Sequence, residues 1–239
     1  MTGVSASSDQ RSAVQGLDVR RVSFRPDAGG FPVDFFGEEF DWGSFARRFR
    51  DDLLFLDIET CGLGDTVIFL AGLLRYRSRR ERSCLEFESV LARDPSVEPI
   101  LLRHVAGSVC RTRQYVSFNG KSFDVPRLRN RARRHRVDPL YEALVDVPAE
   151  RHFDLLIEVR RRWKDELPNC RLSTVERRLL GLERSPDDVP GREVPARYWD
   201  AVTTGQAHLI EPIREHNRRD VLAMVALLHR LGSDSEFRT

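Results

Sequence analysis

The spacing of hydrophobic and polar positions changes along the chain, and each change predicts an element. Leu53–Thr60 is an apolar run that ends in acids, the pattern of a buried strand. Cys61–Asp65 reads as a turn. Thr66–Tyr76 is β-branched and aromatic and predicts a second strand; Ser83–Glu88 predicts a third. From Pro95 to Val109 the apolar residues Ile100, Leu101, Val105 and Val109 recur at helical spacing. Gln114–Phe118 is a fourth strand, closed by Asn119-Gly120, and Asp124–Arg136 follows as a helix. His152–Leu156 is the fifth strand, and Arg160–Lys164 continue in a basic helix. Ser173-Thr174-Val175-Glu176 has the form of a capping box, with Gly181 where a helix stop belongs. Asp187–Gly205 reads as irregular. Glu211–Leu231 is a long helix with Val221, Met224, Val225 and Leu228 on its apolar side. Three consecutive strands, then alternating helices and strands, predict an α/β fold with a mixed five-stranded sheet flanked by helices.

The ends of the chain follow other rules. Residues 1–15 are rich in Ser, Gly, Ala and Gln and are expected to form a disordered tail. Residues 16–50 mix aromatics with Gly and Pro and read as a packed leader segment. The main domain is expected over 51–232, with a short tail at 233–239. Hydrophobic residues make up 41% of the 239 and charged residues 32%, a globular composition long enough to bury a core. The net charge is only +2, yet all but two of the 39 basic residues are arginine; Lys121 and Lys164 are the exceptions. Arginine forks grip phosphate in two places, which suits nucleic acid. Codon usage in a GC-rich genome accounts for the ratio equally well. Cys61, Cys84, Cys110 and Cys170 form no CxxC pair, so neither a zinc site nor a disulfide framework is indicated. With no basic-then-apolar leader and no long apolar stretch, a cytoplasmic location and no membrane partner are expected.

Several acids stand where acids are costly. Asp57 and Glu59, two apart in a strand, share one face with their roots roughly 6–7 Å apart. They interrupt an apolar run, where unpaired charge is expensive. A divalent metal between them would resolve the conflict, though the tripeptide alone is common. Asp124 follows a strand and turn at a helix start, where it could equally cap the helix. On the last helix His216 precedes Asp220 by four and Asn217 by three, spacings that share a helical face and also describe an ordinary surface pair. Taken together, acids at two strand ends and on a terminal helix form one coherent set. Oxygen ligands in that number suit magnesium or manganese rather than zinc, and two such ions ~4 Å apart can clamp the attacking and leaving oxygens of a phosphodiester.

Phe55-Leu56-Asp57-Ile58-Glu59-Thr60-Cys61-Gly62-Leu63 resembles the first motif of the DEDD exonucleases. Asn119 to Phe123-Asp124 resembles their second, and His216-Asn217-Arg218-Arg219-Asp220 their third. The chain is most similar to the YprB-type ribonuclease H-like branch, through Tyr115–Pro126, Cys170–Arg184 and Glu215–Leu222, with the resemblance running from Leu53 to Leu231. It implies a ribonuclease H-like fold and a metal-dependent 3′→5′ exonuclease. It also implies two Mg2+ or Mn2+ ions on Asp57, Glu59, Asp124 and Asp220, and His216 orienting or deprotonating the attacking water. Relatives carry Tyr-x-x-x-Asp or His-x-x-x-x-Asp; here the histidine stands at the tyrosine spacing, which leaves its role as base less fixed than the metal roles. The resemblance further places the terminal nucleotide against Thr60, Gly62 and Leu63, with Leu63 either wedged beside its base or packed in the core.

Fainter signals complete the picture. Asn119 and Lys121 belong to the second motif and are candidate substrate contacts. Asp154 and Asn217 are candidates for a supporting layer behind the metal ligands. The arginines between Arg127 and Arg136, and those at Arg160–Arg162 with Lys164, could form a phosphate track or merely solvated helix faces. No aromatic residues interleave with them. The expected partner is DNA or RNA, at single-stranded 3′ ends. Rival readings are a catalytically silent nucleic-acid-binding module, an endonuclease of the same fold, and a protein adaptor.

Overall fold

Strict alternation governs the strand at the centre of the molecule. In Leu53–Thr60 the side chains of Leu54, Leu56 and Ile58 enter one hydrophobic core, while Leu53 and Phe55 enter another on the opposite face. A strand buried on both faces reads as a nearly continuous apolar run, which is why this segment stood out in the sequence. The computed structural model describes residues 10–14, 16–24, 33–36, 40–49, 52–77 and 84–233.

The strands are β1 (Gln10–Val14), β2 (Leu17–Phe24), β3 (Leu53–Thr60), β4 (Ile68–Arg77), β5 (Cys84–Ala92), β6 (Gln114–Ser117) and β7 (His152–Asp154). The helices are α1 (Val33–Phe36), α2 (Trp42–Arg48), α3 (Glu98–Val109), α4 (Asp124–Arg134), α5 (Asp138–Val145), α6 (Leu155–Trp163), α7 (Leu172–Val175), α8 (Val194–Thr204) and α9 (Glu211–Ser233). One sheet runs in the order β1-β2-β5-β4-β3-β6-β7. The pairs from β1 to β3 are antiparallel; β3–β6 and β6–β7 are parallel. The mixed α/β sheet is as expected, but it has seven strands rather than five, and the fifth predicted strand stops at Asp154, with Leu155 and Leu156 already in α6. Helices α3, α4 and α5 cover one face, and α2, α6 and α9 the other. No helix among the described residues is long and apolar enough to cross a membrane.

Four readings need correction. Residues 10–14, assigned to the tail by composition, form β1, and β2 joins β5 over eight residue pairs, so part of the leader belongs to the sheet. Residues 1–9, 78–83 and 234–239 lie outside the described residues. The irregular stretch 187–205 contains α8: Val194, Tyr198 and Ala201 pack on Phe69 and Leu70. Pro195 sits in the first turn, where its missing N–H costs nothing. The capping box is not made, because α7 begins at Leu172, before Ser173, and Glu176 turns inward. Asn169 does the local work instead: its Oδ1 accepts from Arg171 N at 3.0 Å and Thr174 Oγ1 at 2.8 Å. Gly181 does end the helical stretch, with φ at 67°.

Candidate functional site

Asp57 and Glu59 continue the face of β3 that carries Leu53 and Phe55, the face covered by α9. The strand is therefore hydrophobic up to Phe55 and acidic beyond it on this side. Opposite Asp57 on β4 stands Gly72. A Cβ at Gly72 would overlap Asn217 Oδ1, so glycine makes the space that α9 uses. Asn217 is fully buried there and donates from Nδ2 to Asp57 Oδ2 at 2.7 Å.

Asp124 opens α4 and is 2% exposed. The parallel register between β3 and β6 ends at Phe55 and Val116. Past that point Ile58 N donates to Asp124 Oδ1 at 3.1 Å, so the carboxylate closes the gap where the strands part. The cap position of α4 is Phe123, which makes no side-chain cap bond, and the Asp124 carboxylate bonds a neighbouring strand instead.

The acids act on one another. Burial, then Asp124, Glu59 and Asp220, pushes the Asp57 carboxyl well above its usual range. Glu59 is pushed up to about 8 by burial, with Asp220, Asp124 and Asp188 adding and His216 opposing. Burial lifts Asp124 to about 7 against the pull of the Ile58 N–H. All four predicted ligands are thus close enough to repel.

Asp220 has company that the sequence did not announce. Arg184 Nη2 donates to Asp220 Oδ1 at 2.6 Å, Nη1 to Asp188 Oδ2 at 3.1 Å, and Nε to the buried Glu176 at 2.5 Å. His216 Nδ1 lies 2.8 Å from Asp188 Oδ1, and Nε2 lies 3.8 Å from Asp220 Oδ2. Arg184 Nη1 also lies 3.3 Å from His216 Nδ1, but the nearer Asp188 carboxylate favours the proton on Nδ1 and leaves Nε2 as the acceptor when the ring is neutral. Burial lowers the affinity of His216 for a proton, but Asp220, Glu59 and Asp188 outweigh it and raise the pKa. Glu176, Arg184 and Asp188 are the residues missed by sequence reasoning. Glu176 was absorbed into a false capping box; Arg184 lay inside the Cys170–Arg184 stretch without a role.

The remaining candidates divide. Asp154 Oδ1 accepts from Asn119 N at 2.8 Å and Leu156 N at 3.1 Å, while Oδ2 accepts from Lys121 N at 3.0 Å. It therefore caps α6 and clamps the loop before α4. Asn119 adopts a left-handed φ of 66°, which asparagine tolerates well. Lys121 is exposed on that loop. Thr60 is buried, and its hydroxyl donates to the Gly62 carbonyl at 2.8 Å; Thr66 Oγ1 donates to the same oxygen at 3.0 Å. These bonds shape the turn that presents Leu63, which is 87% exposed and so is not core packing.

A cleft of about 650 Å³ opens on Asp57 and Asp124, with Asn119, Arg160, Lys164 and Arg171 among its other lining residues; Glu59 does not line it. Thr60, Gly62, Leu63 and the α9 residues are not part of its wall.

The donor set fits a hard divalent cation, which takes carboxylate oxygens and offsets their repulsion. Asp57, Glu59 and Asp124 have no arginine or lysine paired with them among the described residues. Among the same residues no three His, Cys, Asp or Glu side chains already converge as a metal cage, and Asp220 is drawn toward Arg184.

Comparison with known proteins places this arrangement. A model of the RNase H superfamily matches residues 54–232. The Bacillus subtilis (strain 168) protein YprB, itself uncharacterised, is 33% identical over 181 residues, covering 74% of this chain. The match spans only 41% of YprB. The family B DNA polymerase of the archaeon Pyrobaculum calidifontis superposes with a TM-score of 0.58 at 18% identity, over 76% of this chain and 24% of the polymerase. Apo exonuclease I superposes with a TM-score of 0.52 at 15% identity, over 78% of this chain and 43% of its own. At such identities the two structures speak to the fold alone.

Proposed function

The chain belongs to the RNase H superfamily, in its YprB-type branch, and from that premise we propose that it is a metal-dependent 3′→5′ exonuclease acting on DNA or RNA. The observation that carries this reading is the gathering of Asp57, Glu59, Asp124 and Asp220, in which burial and mutual repulsion push Asp57, Glu59 and Asp124 toward their protonated forms. A fold has no stability reason to keep such a set.

In this reading the four acids hold two Mg2+ or Mn2+ ions. Bound there, the ions lower the pKa of a water nucleophile and neutralise charge at the leaving 3′-oxygen. His216 receives the proton at Nε2, the nitrogen left free by the Asp188 contact at Nδ1. Asn217 keeps Asp57 aimed. Asp154 holds the Asn119–Lys121 loop, so that Asn119 meets the substrate from the cleft wall and Lys121 from the exposed loop. Leu63, large, apolar and exposed at the end of the site strand, wedges against the terminal base.

A second reading is a nucleic-acid-binding module without hydrolysis, and the pairing of Asp220 with Arg184 favours it. The deciding experiment supplies a 5′-labelled linear strand and a closed circle of the same composition. A ladder shortening from the 3′ end, with the circle intact, supports the exonuclease; cleavage of the circle indicates an endonuclease. Binding without cleavage of either indicates the silent module.

A further inference from the structure

Many of the described arginines are paired with acids. Arg161 and Arg162 of α6 lie 2.8 Å and 3.8 Å from Glu158, and Arg131 is buried against Glu98. Three cations on the cleft wall differ from these. Arg160 on α6, Lys164 at its C-terminal cap and Arg171 just before α7 are exposed and line the cleft that holds Asp57 and Asp124. None of the three side chains makes an ion pair among the described residues. Arg160 and Lys164 are four apart, one turn of helix, so they share a face; Arg161 and Arg162 engage Glu158 beside them.

The cleft lining therefore carries both acids and cations. Acids awaiting a metal need no cations close by, and a lone mononucleotide needs few. A chain of phosphates needs both: one phosphate at the acids and its neighbours on the cations. Phe118, Phe123, Leu156 and Leu172 supply apolar lining. Apolar walls serve bases that are unpaired, since a duplex turns its bases inward.

We propose that Arg160, Lys164 and Arg171 form a phosphate track that leads single-stranded nucleic acid to Asp57 and Asp124. The proposal rests on the nuclease reading for its direction of travel. It does not rest on it for binding. The arginine run of α4, the other candidate track, is partly consumed: Arg131 is buried, and the Arg127 guanidinium lies 3.5 Å over the Phe123 ring.

The test measures anisotropy of labelled single-stranded DNA, single-stranded RNA and a duplex against salt, with calcium in place of magnesium. Proteins compared are the wild type, an Arg160→Ala/Lys164→Ala/Arg171→Ala variant and Arg161→Ala. All four positions are exposed, so melting curves should coincide; single Arg160→Gln and Lys164→Gln variants repeat the measurement if the triple variant does not fold. The triple variant should lose roughly tenfold or more in single-strand affinity, and its slope of log affinity against log salt should flatten by about 2, close to three phosphate contacts at about 0.7 each. Arg161→Ala should match the wild type. Unchanged binding by the triple variant, or an equal loss in Arg161→Ala, overturns the track while leaving the nuclease reading in place. Equal wild-type affinity for duplex overturns the single-strand assignment. Wild-type protein that neither binds nor cuts any of the polymers overturns both.

Discussion

Asn217 reaches Asp57 only because residue 72 has no side chain. Its Nδ2 donates to Asp57 Oδ2 at 2.7 Å, and its Oδ1 occupies the space a Cβ at Gly72 would need. The strand β4 and the helix α9 are thus matched at one point, and that point aims a candidate metal ligand.

Gly72→Ala tests the match. The new methyl overlaps Asn217 Oδ1 and comes within 3.0 Å of Val221 Cγ2, both on buried side chains. Overpacking of this kind costs about 1–3 kcal/mol, read from the denaturant midpoint. Displacing Asp57 should also lower kcat roughly tenfold or more. Adding Asn217→Ala should restore part of the stability, since the two sites share one clash. Strictly additive losses would contradict the packing argument.

Asp188 and His216 form a second pair. Removing Asp188 frees the ring to turn and lets the proton move to Nε2. Asp188→Ala should lower kcat roughly 10–100-fold with KM within about twofold. Asp188→Asn should do no better, because an amide can donate to Nδ1 and invert the tautomer; Asp188→Glu should recover part of the rate. Equal losses in kcat and stability across all three would reduce Asp188 to a structural role.

The raised carboxyls predict a pH dependence of metal-free stability. Glu59 and Asp124 sit at about 8 and about 7 when folded, against 4.5 and 3.8 in an open chain. The folded state therefore holds protons that the unfolded state has already released, and stability falls as pH rises through the folded values. His216, also raised, has the same sign. His152, held down to about 4 by burial, has the opposite sign, but its window closes by pH 6.5. In chelator the melting temperature should drop by several degrees between about pH 6.5 and 8.5. Manganese should raise it most at the upper end, where the acids are ionised. A flat profile in chelator would mean that the four acids do not meet as described.

Asp154 is predicted to hold structure rather than chemistry. Its loss frees two loop N–H groups and one helix-cap bond. Asp154→Ala should cost about 1–3 kcal/mol, with melting temperature as the readout. Stability unchanged in this variant would show that the clamp is idle.

Legibility in the sequence followed local physics. The strand carrying Asp57 was readable because burial on both faces makes an unbroken apolar run, and the acids were readable because they break it. Helix α9 was readable from its apolar period. β2 was not, because it finds its partner in β5, some seventy residues away, and pairing at that range leaves little local trace; β1 pairs locally with β2, but its mostly polar sequence carries no strand pattern. α8, read as irregular chain, carries a proline in its first turn. Arg184 and Asp188 come from the loop region between α7 and α8, and only the folded chain brings them to α9. Glu176 looked like a capping residue because the spacing of a capping box is local, whereas its partner is set by tertiary packing.

The central claim is that Asp57, Glu59, Asp124 and Asp220 hold divalent metal for phosphodiester hydrolysis. The direct measurement is release of nucleotide from single-stranded DNA and RNA, with manganese, magnesium or chelator, by the wild type and by Asp57→Ala. The account predicts release by the wild type with metal, none in chelator, and a loss in Asp57→Ala of roughly a thousandfold or more. Hydrolysis that survives chelator, or an Asp57→Ala protein as active as the wild type, would contradict it.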